Sequence, residues 1–381
     1  MSKYHIVRLG ELISPANVIK CGTNIYPVLS MTMHDGIVLQ SNRFKKSLAS
    51  LDTSEYKVVK EGQLVVGFPI DEGVLYIQHH SFEGIMSPAY DVYNVDYSRI
   101  TGVYLESALH SPQSMQYYAS KLRGTTARRR SIPKKDLFEL PIILPDLATQ
   151  KHITDIISYA NKLIEICKSI LEKTDTLVKS RFVEMFGNPI TNSHNLPLKT
   201  LSELGELGRG ISKHRPRNAP ELLGGVYPLI QTGDVANASL YILDYNSTYS
   251  ETGFKQSKMW SKGTLCITIA ANIAKTAILT FDSCFPDSVV GFNANVSTNN
   301  IFIHFWFSFF QEILEEQAPE SAQKNINLKI LSELKVIVPP IELQQQFADF
   351  VAQTDKSKLA VKHILEKAET LKKSLMQEYF G

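Results

Sequence analysis

Two stretches of this chain are copies of one passage. Ile132 to Gly187 aligns with Ile326 to Gly381 without a gap, and about 22 of roughly 56 positions are identical. Matched pairs include Ile132 with Ile326, Lys135 with Lys329, Leu140 with Leu334, Pro145 with Pro339 and Gln150 with Gln344. The run Ile170-Leu171-Glu172-Lys173 returns as Ile364-Leu365-Glu366-Lys367, and Phe186-Gly187 returns as Phe380-Gly381. A match that runs through a strand, a proline corner and a helix is more than shared helix composition. Whatever the first copy folds into, the chain folds into twice.

Within the first copy, Leu137 to Leu144 reads as a strand stopped by Pro145, with a helix starting near Leu147. Ile153, Ile157, Ala160, Ile164, Cys167, Leu171, Thr174 and Val178 then alternate spacings of four and three, a heptad seam. Some forty helical residues reach about 60 Å at 1.5 Å per residue. A domain of this size needs no such helix for its own core, so its neighbour is another long helix, and the second copy supplies one from Leu343 to Phe380. Val361, Leu365, Ala368, Leu371 and Leu375 form its apolar stripe. The polar run Thr354-Asp355-Lys356-Ser357-Lys358 interrupts it where the first copy has Ala160 to Ile164, and reads as a weak contact or as a place where a partner or water meets the pair.

The segments preceding the two copies are strand-rich. Ile25 to Ser30 is β-prone and closed by the turn signal His34-Asp35-Gly36, Tyr56 to Gly67 reads as strand, Glu-Gly turn and strand, and Val74 to Ile77 is another strand. Leu105 to Leu122 has helical spacing broken at Pro112. The pattern returns later: Leu9-Gly10-Glu11-Leu12 corresponds to Leu201-Ser202-Glu203-Leu204, Tyr26-Pro27-Val28-Leu29 to Tyr227-Pro228-Leu229-Ile230, and Gly62-Gln63-Leu64-Val65 to Gly263-Thr264-Leu265-Cys266. The last two share one offset, so both halves have a common frame with different insertions.

The loops diverge where the frame agrees. Lys121 to Lys135 carries seven basic residues and no acid, with Gly124, Thr125, Thr126 and Ser131 interleaved. Such a loop sets guanidiniums and hydroxyls against phosphates or base edges. Gly208 to Asn218 is a second acid-free basic loop, with four Lys or Arg residues and His214. Aligned with the first run stands Ser321-Ala322-Gln323-Lys324-Asn325, polar and chemically different.

The remaining classes are narrowed by what composition lacks. With 381 residues, 44% hydrophobic and 20% charged, the chain reads as two or three ordinary domains, and a formal net charge of +2 confines any nucleic-acid signal to local patches. Four scattered cysteines include no C-x-x-C pair, which points to neither zinc nor a disulfide framework and fits a reducing cytoplasm. The N-terminus does not read as a secretory signal, and Ile301 to Leu314 is too short and too polar to span a bilayer. No G-x-x-x-x-G-K-[ST] loop is present. Asn188-Pro189-Ile190 is only superficially a methyltransferase element, Gly205 to Gly210 reads as a turn, and His79 and His80 beside Glu83 read as surface histidines. The residues support binding rather than catalysis.

The pattern L-x-x-L-x, three apolar residues, P-x-apolar-x-x-Q stands at Leu137 to Gln150 and again at Leu331 to Gln344, each opening a long helix after a recognition-like region. This arrangement, over essentially the whole chain, resembles the specificity subunit of Type I restriction-modification systems. The resemblance implies an α+β chain of two similar target-recognition domains, at 1–145 and 188–338. They are separated by two long antiparallel helices, at 146–187 and 339–381, paired like a coiled coil about a pseudo-twofold axis. It implies a non-catalytic subunit that reads double-stranded DNA and carries two modification (methyltransferase) subunits, to which restriction subunits can add. It also implies no cofactor in this chain, with S-adenosylmethionine and ATP with magnesium belonging to the partners, no membrane, and a cytoplasmic setting. Two unlike readers entering the major groove 35–50 Å apart, at ~3.4 Å per base pair, would read an asymmetric bipartite target with half-sites roughly 10–14 base pairs apart.

On this reading Arg123, Arg128, Arg129 and Arg130 contact DNA, one forking onto guanine, while Thr125, Thr126, Lys134 and Lys135 hold phosphates. Arg209, Lys213, Arg215 and Arg217 hold backbone in the second module, and Gln231, Gln323 and Asn325, beside Lys324, are candidates for adenine. Ile157, Ile164, Leu171, Val361, Leu365 and Leu371 are expected in the helix-pair seam. The competing readings are a helical interaction scaffold without DNA reading and a fused single-chain nuclease or methylase.

Overall fold

The computed structural model describes residues 5–33, 35–43, 52–122, 130–270, 272–317 and 326–381. It divides into two units: Met1–Lys168 with Lys362–Gly381, and Ser169–Val361.

In unit 1 a four-stranded antiparallel sheet runs in the order Ile13–Pro15, Asp91–Val95, Leu64–Val66, Leu75–Ile77. In unit 2 the order is Gly205–Arg209, Val289–Ala294, Leu265–Thr268, Thr276–Leu279, extended by Tyr241–Ile242, which pairs parallel to the last. The registers agree as well. Leu64 faces Ile77 and Tyr93 as Leu265 faces Ile278 and Phe292. Beyond this sheet, Val28 bridges Ile85 in parallel as Leu229 pairs Cys284, and Lys57–Val59 runs antiparallel to Gly84–Met86 as Met259–Trp260 does to Ser283–Cys284. The frame read from repeated motifs is therefore also a repeated topology.

Some local readings change. The β-prone run at Ile25 becomes a strand only at Leu29–Met31, paired with Ile37–Leu39, and Ile25 itself is 99% exposed. Tyr56 to Gly67 does form strand, turn and strand, but the two strands pair elsewhere. Gly62 at φ +79° sends the chain out of one sheet and into another. Gly205 to Gly210, read as a turn, is largely the edge strand Gly205–Arg209. Its glycines answer to close packing: a Cβ at Gly205 would lie 2.3 Å from the Asn293 carbonyl, and one at Gly208 2.5 Å from the Trp260 ring. Pro112, expected to break a helix, opens one: Gly102–Leu109 ends and Pro112–Lys121 begins, with Ser111 as its N-cap. Leu137 lies in a short helix, Lys134–Phe138, that precedes the strand Pro141–Leu144.

The long helices are Leu147–Phe186 and Ile341–Phe380, each 40 residues. Each begins on an identical anchor. Gln150 is fully buried; its Oε1 accepts from the Thr101 N–H at 2.8 Å, and its Nε2 donates to the Arg99 and Pro145 carbonyls at 2.8 and 2.9 Å. Gln344, also fully buried, accepts from Thr298 Oγ1 at 2.8 Å and the Asn299 N–H at 3.3 Å, and donates to the Ser297 and Pro339 carbonyls at 3.1 and 2.9 Å.

Each unit contains an antiparallel helix-pair segment. In unit 1, Ile153 and Ile157 share a core with Phe380, whose ring lies 5.1 Å from that of Tyr104, and Lys168 reaches Glu369. In unit 2, Phe182 and Phe186 pack on Phe302 and Phe347 at 5.1 to 5.5 Å. Tyr104 and Phe302 hold the same place, three residues past the N–H that each glutamine captures. Ile153, Ile157, Ala160, Ile164, Cys167 and Val178 are buried, and Leu171 and Thr174 half-buried, as the heptad reading requires. On the second helix Val361 and Leu365 are half-buried, and Ala368 and Leu375 buried. Leu371 is not in the seam. It is 52% exposed, because the buried line steps from Ala368 to Leu375, seven residues on. The polar interruption is a contact within unit 2, since Lys358 forms an ion pair with Asp175 of the first helix.

Candidate nucleic-acid interface

Arg123, Thr125, Thr126, Arg128 and Arg129 lie outside the described residues, as do Gln323, Lys324 and Asn325. What can be built is how the described parts of each basic loop are held.

In unit 1 the basic segment ends on a clamp. Arg130 Nε donates to both Asp71 oxygens at 2.9 and 2.8 Å, its Nη2 to Glu72 Oε1 at 2.5 Å, and its carbonyl accepts from the Ile70 N–H at 3.0 Å. The hydrogen bond to Asp71, followed by the charges of Asp71 and Glu72, raises the guanidinium pKa above its already high value. Through its Nε and Nη2, Arg130 fastens the end of the loop to Asp71 and Glu72. The acids responsible, Asp71 and Glu72, lie 59 and 58 residues away in sequence and carry no local signal. Lys134 pairs with Asp91 at 2.9 Å and stays exposed. Lys135 is exposed and makes no ion pair among the described residues.

Beside this foot lies a cleft of about 450 Å³ lined by Phe68, Asp91, Tyr93, Ser131, Pro133 and Lys134. The Tyr93 hydroxyl is buried without a partner among the described residues, and burial pushes its pKa up to about 12. By register, unit 2 has Val290 and Phe292 where unit 1 has Asp91 and Tyr93, and both are fully buried in a packed core.

In unit 2 the loop after strand Gly205–Arg209 is organised by one acid. Arg209 Nε donates to the Asp287 carbonyl, Arg215 Nη2 meets Asp287 Oδ2 at 3.2 Å, and Arg217 Nη2 lies 2.5 Å from Asp287 Oδ1. Arg215 also donates to the Ser212 and His214 carbonyls at 2.6 and 2.8 Å, closing the loop on itself. Gln256 Oε1 accepts from the N–H groups of Lys213 and His214 at 2.6 and 3.0 Å. Lys213 projects into solvent without an ion pair among the described residues. Gln231, offered for adenine, is exposed at the N-cap position of the helix Thr232–Asn237; its N–H donates to Asp234 at 2.8 Å, and its side-chain amide donates to Ser247 Oγ at 3.2 Å. Neither Asp287 nor Gln256 was foreseeable, each being a lone polar residue far along the chain from the loop it holds.

Among the described residues no group of three or more His, Cys, Asp or Glu side chains could hold a metal. His79 is taken by Glu106 at 2.8 Å, and His80 Nε2 lies 3.1 Å from the Ile37 carbonyl. The four cysteines are buried and unbridged. No helix among the described residues is long and apolar enough to cross a membrane.

Residues 198–370 match the family model described as Type I restriction modification DNA specificity domain. That stretch, just under half of the chain, is similar to this domain. The chain also spans about three fifths of the length of a curated relative. The chain is similar to the putative type I restriction enzyme MjaX specificity subunit of Methanocaldococcus jannaschii, 21% identical over 253 residues, 65% of this chain and 60% of the relative's length. Among solved structures, a chain from a study of complex assembly and conformational transition of a type I R-M system matches with TM-score 0.62 and 16% identity, over 99% of this chain and 97% of that one. The S subunit of a type I restriction-modification system from M. genitalium matches with TM-score 0.59 and 15% identity, over 100% and 96%. The fold is thus α+β, with strand-rich domains and long helical connections.

Proposed function

We propose that this chain is the DNA-reading subunit of a type I restriction-modification complex, each unit reading one half of an asymmetric, bipartite duplex target. The observation that carries this reading is the duplication itself: one frame, strand for strand, holds two basic loops of different chemistry. A shared frame with unlike loops suits two half-sites of unlike sequence, read by base-edge contacts in the major groove. Lys134, Lys135 and Lys213, with the arginines outside the described residues, are the proposed contacts, and Arg209 and Arg217 present the outer faces of their guanidiniums to the backbone.

The chain itself needs no catalytic group for this task. Methyl transfer falls to modification subunits bringing S-adenosylmethionine, and ATP-driven restriction subunits can add to the complex in the cytoplasm. On the first long helix, Tyr159, Leu163, Ile166, Ile170 and Leu177 are exposed at helical spacing, a second apolar stripe suited to a partner helix. Mapping methylated bases genome-wide with and without this chain tests the reading. A two-part motif separated by an unread spacer, lost when the chain is removed, is expected. A continuous motif, or methylation that persists without the chain, overturns it.

A further inference from the structure

Three arginines within nine residues of one loop repel one another and, left alone, sample many arrangements. Here they share Asp287. Its side chain is 25% exposed, against 53% and 44% for Arg215 and Arg217. Ion pairs this open add little to stability, so stability does not explain the arrangement. Geometry does. Asp287 lies in the turn that leads into strand Val289–Ala294, and the root of the loop is packed onto that turn. The Gly210 N–H donates to the Val289 carbonyl at 2.9 Å, and a Cβ at Gly210 would lie 2.3 Å from the Pro286 carbonyl. The loop, the turn and its acid move as one piece, and Gln256 secures the opposite side.

We propose that Asp287 is a positioning residue for specificity. It fixes Arg209, Arg215 and Arg217 relative to one another so that Lys213 and the outer guanidinium faces meet the duplex in a single arrangement. This rests on the reading of the loop as a DNA contact. The same logic separates Arg215 from its neighbours: its nitrogens serve Asp287 and two loop carbonyls, so it shapes the loop. Unit 1 reaches the same end by different means. By register the place of Asp287 is taken there by Pro88, and Asp71 and Glu72 clamp Arg130 instead.

The sign of one substitution distinguishes positioning from simple charge. An acid near phosphates repels DNA, so Asp287→Asn, if charge is all that matters, tightens binding to every duplex alike. If Asp287 positions the loop, the variant binds scrambled duplex as well as or better than the parent. It discriminates about tenfold less against base changes in one half-site and is unchanged in the other. The experiment uses the full chain and fluorescence anisotropy on the mapped target, on duplexes altered in either half and on a scrambled duplex. The untouched half-site reports that the fold is intact. Arg215→Lys, which keeps the charge but loses the fork, is expected to give the same one-sided loss. Uniform tightening with discrimination retained, or an equal loss in both halves, overturns the proposal. A parent chain that binds no duplex specifically overturns the DNA-reading assignment beneath it, and the two failures are told apart by that control.

Discussion

Glu106 of unit 1 and His304 of unit 2 occupy one place in the two copies of the frame, five residues past the N–H that Gln150 or Gln344 captures. Both reach the same neighbouring strand. Glu106 accepts from the Ile77 N–H at 2.7 Å and holds His79 at 2.8 Å, whereas His304 Nδ1 lies 2.9 Å from Thr276 Oγ1. One joint is built on an acid and the other on a base. The frame tolerates this inversion because its geometry is set by strand register and the glutamine anchor. The side chain at the joint has only to find a polar partner. Copies of one fold can thus diverge in charge while keeping the four shared strands in register.

The comparison breaks most visibly at the aromatic seals. Phe186→Ala and Phe380→Ala are each expected to destabilise their own unit by about 3–5 kcal/mol. The loss should be greater in unit 2, where Phe186 meets the rings of Phe182, Phe302 and Phe347, than in unit 1, where Phe380 meets Tyr104. Hydrogen exchange followed unit by unit measures both, and an equal loss would mean that ring contacts do not set the difference. The glutamine anchors should sharpen the likeness instead. Gln150→Ala and Gln344→Ala each strand several buried backbone groups, and losses of about 2–4 kcal/mol, alike in the two units, are expected in the same measurement.

Acidity should then drive the units in opposite directions. Burial pushes the His304 pKa down to about 4 from an ordinary 6.5, so its contribution is present above pH 6.5 and is lost as pH falls toward 4. The His79 pKa is raised, chiefly by its hydrogen bond to Glu106, so that contribution is full below pH 6.5 and fades as pH rises through the raised value. From pH 7.5 to 5, protection relative to intrinsic exchange should fall near His304 and rise near His79. His304→Asn should flatten only the first response, and parallel behaviour would defeat the inversion. Smaller again, Lys213→Ala and Lys135→Ala should each lower the salt dependence of duplex binding by about one counterion, with little change in sequence preference. Smallest of all, Tyr93→Phe removes a buried hydroxyl without a partner among the described residues, making unit 1 resemble unit 2 at Phe292. A gain of about 0.5–1 kcal/mol in a chemical melt is expected, and a loss would show that the hydroxyl has work in the cleft.

What could be read ahead of the coordinates was whatever the chain repeats. The long helices, their seam at Ile157 and Ile164, and the shared motifs at Gly62 and Gly263 were legible because two copies constrain one another. Pairing was less legible. Tyr56 to Gly67 has the spacing of a hairpin, but the partners of its strands are set by sheets assembled from distant segments. Leu371 matches the apolar stripe and still faces out, since the buried line runs directly from Ala368 to Leu375. The loops were legible as charge and not as geometry. A run of arginines announces itself, but the acids that hold Arg130, Arg215 and Arg217 stand far along the chain, and no local pattern distinguishes an arginine that anchors from one that reaches outward.

Unit 2 is one uninterrupted stretch, Ser169–Val361, whereas unit 1 combines Met1–Lys168 with Lys362–Gly381. During synthesis the later-made unit therefore has all its parts first. The earlier one waits, its core open at Tyr104, until Phe380 leaves the ribosome, so the first unit to be translated is the last to be finished.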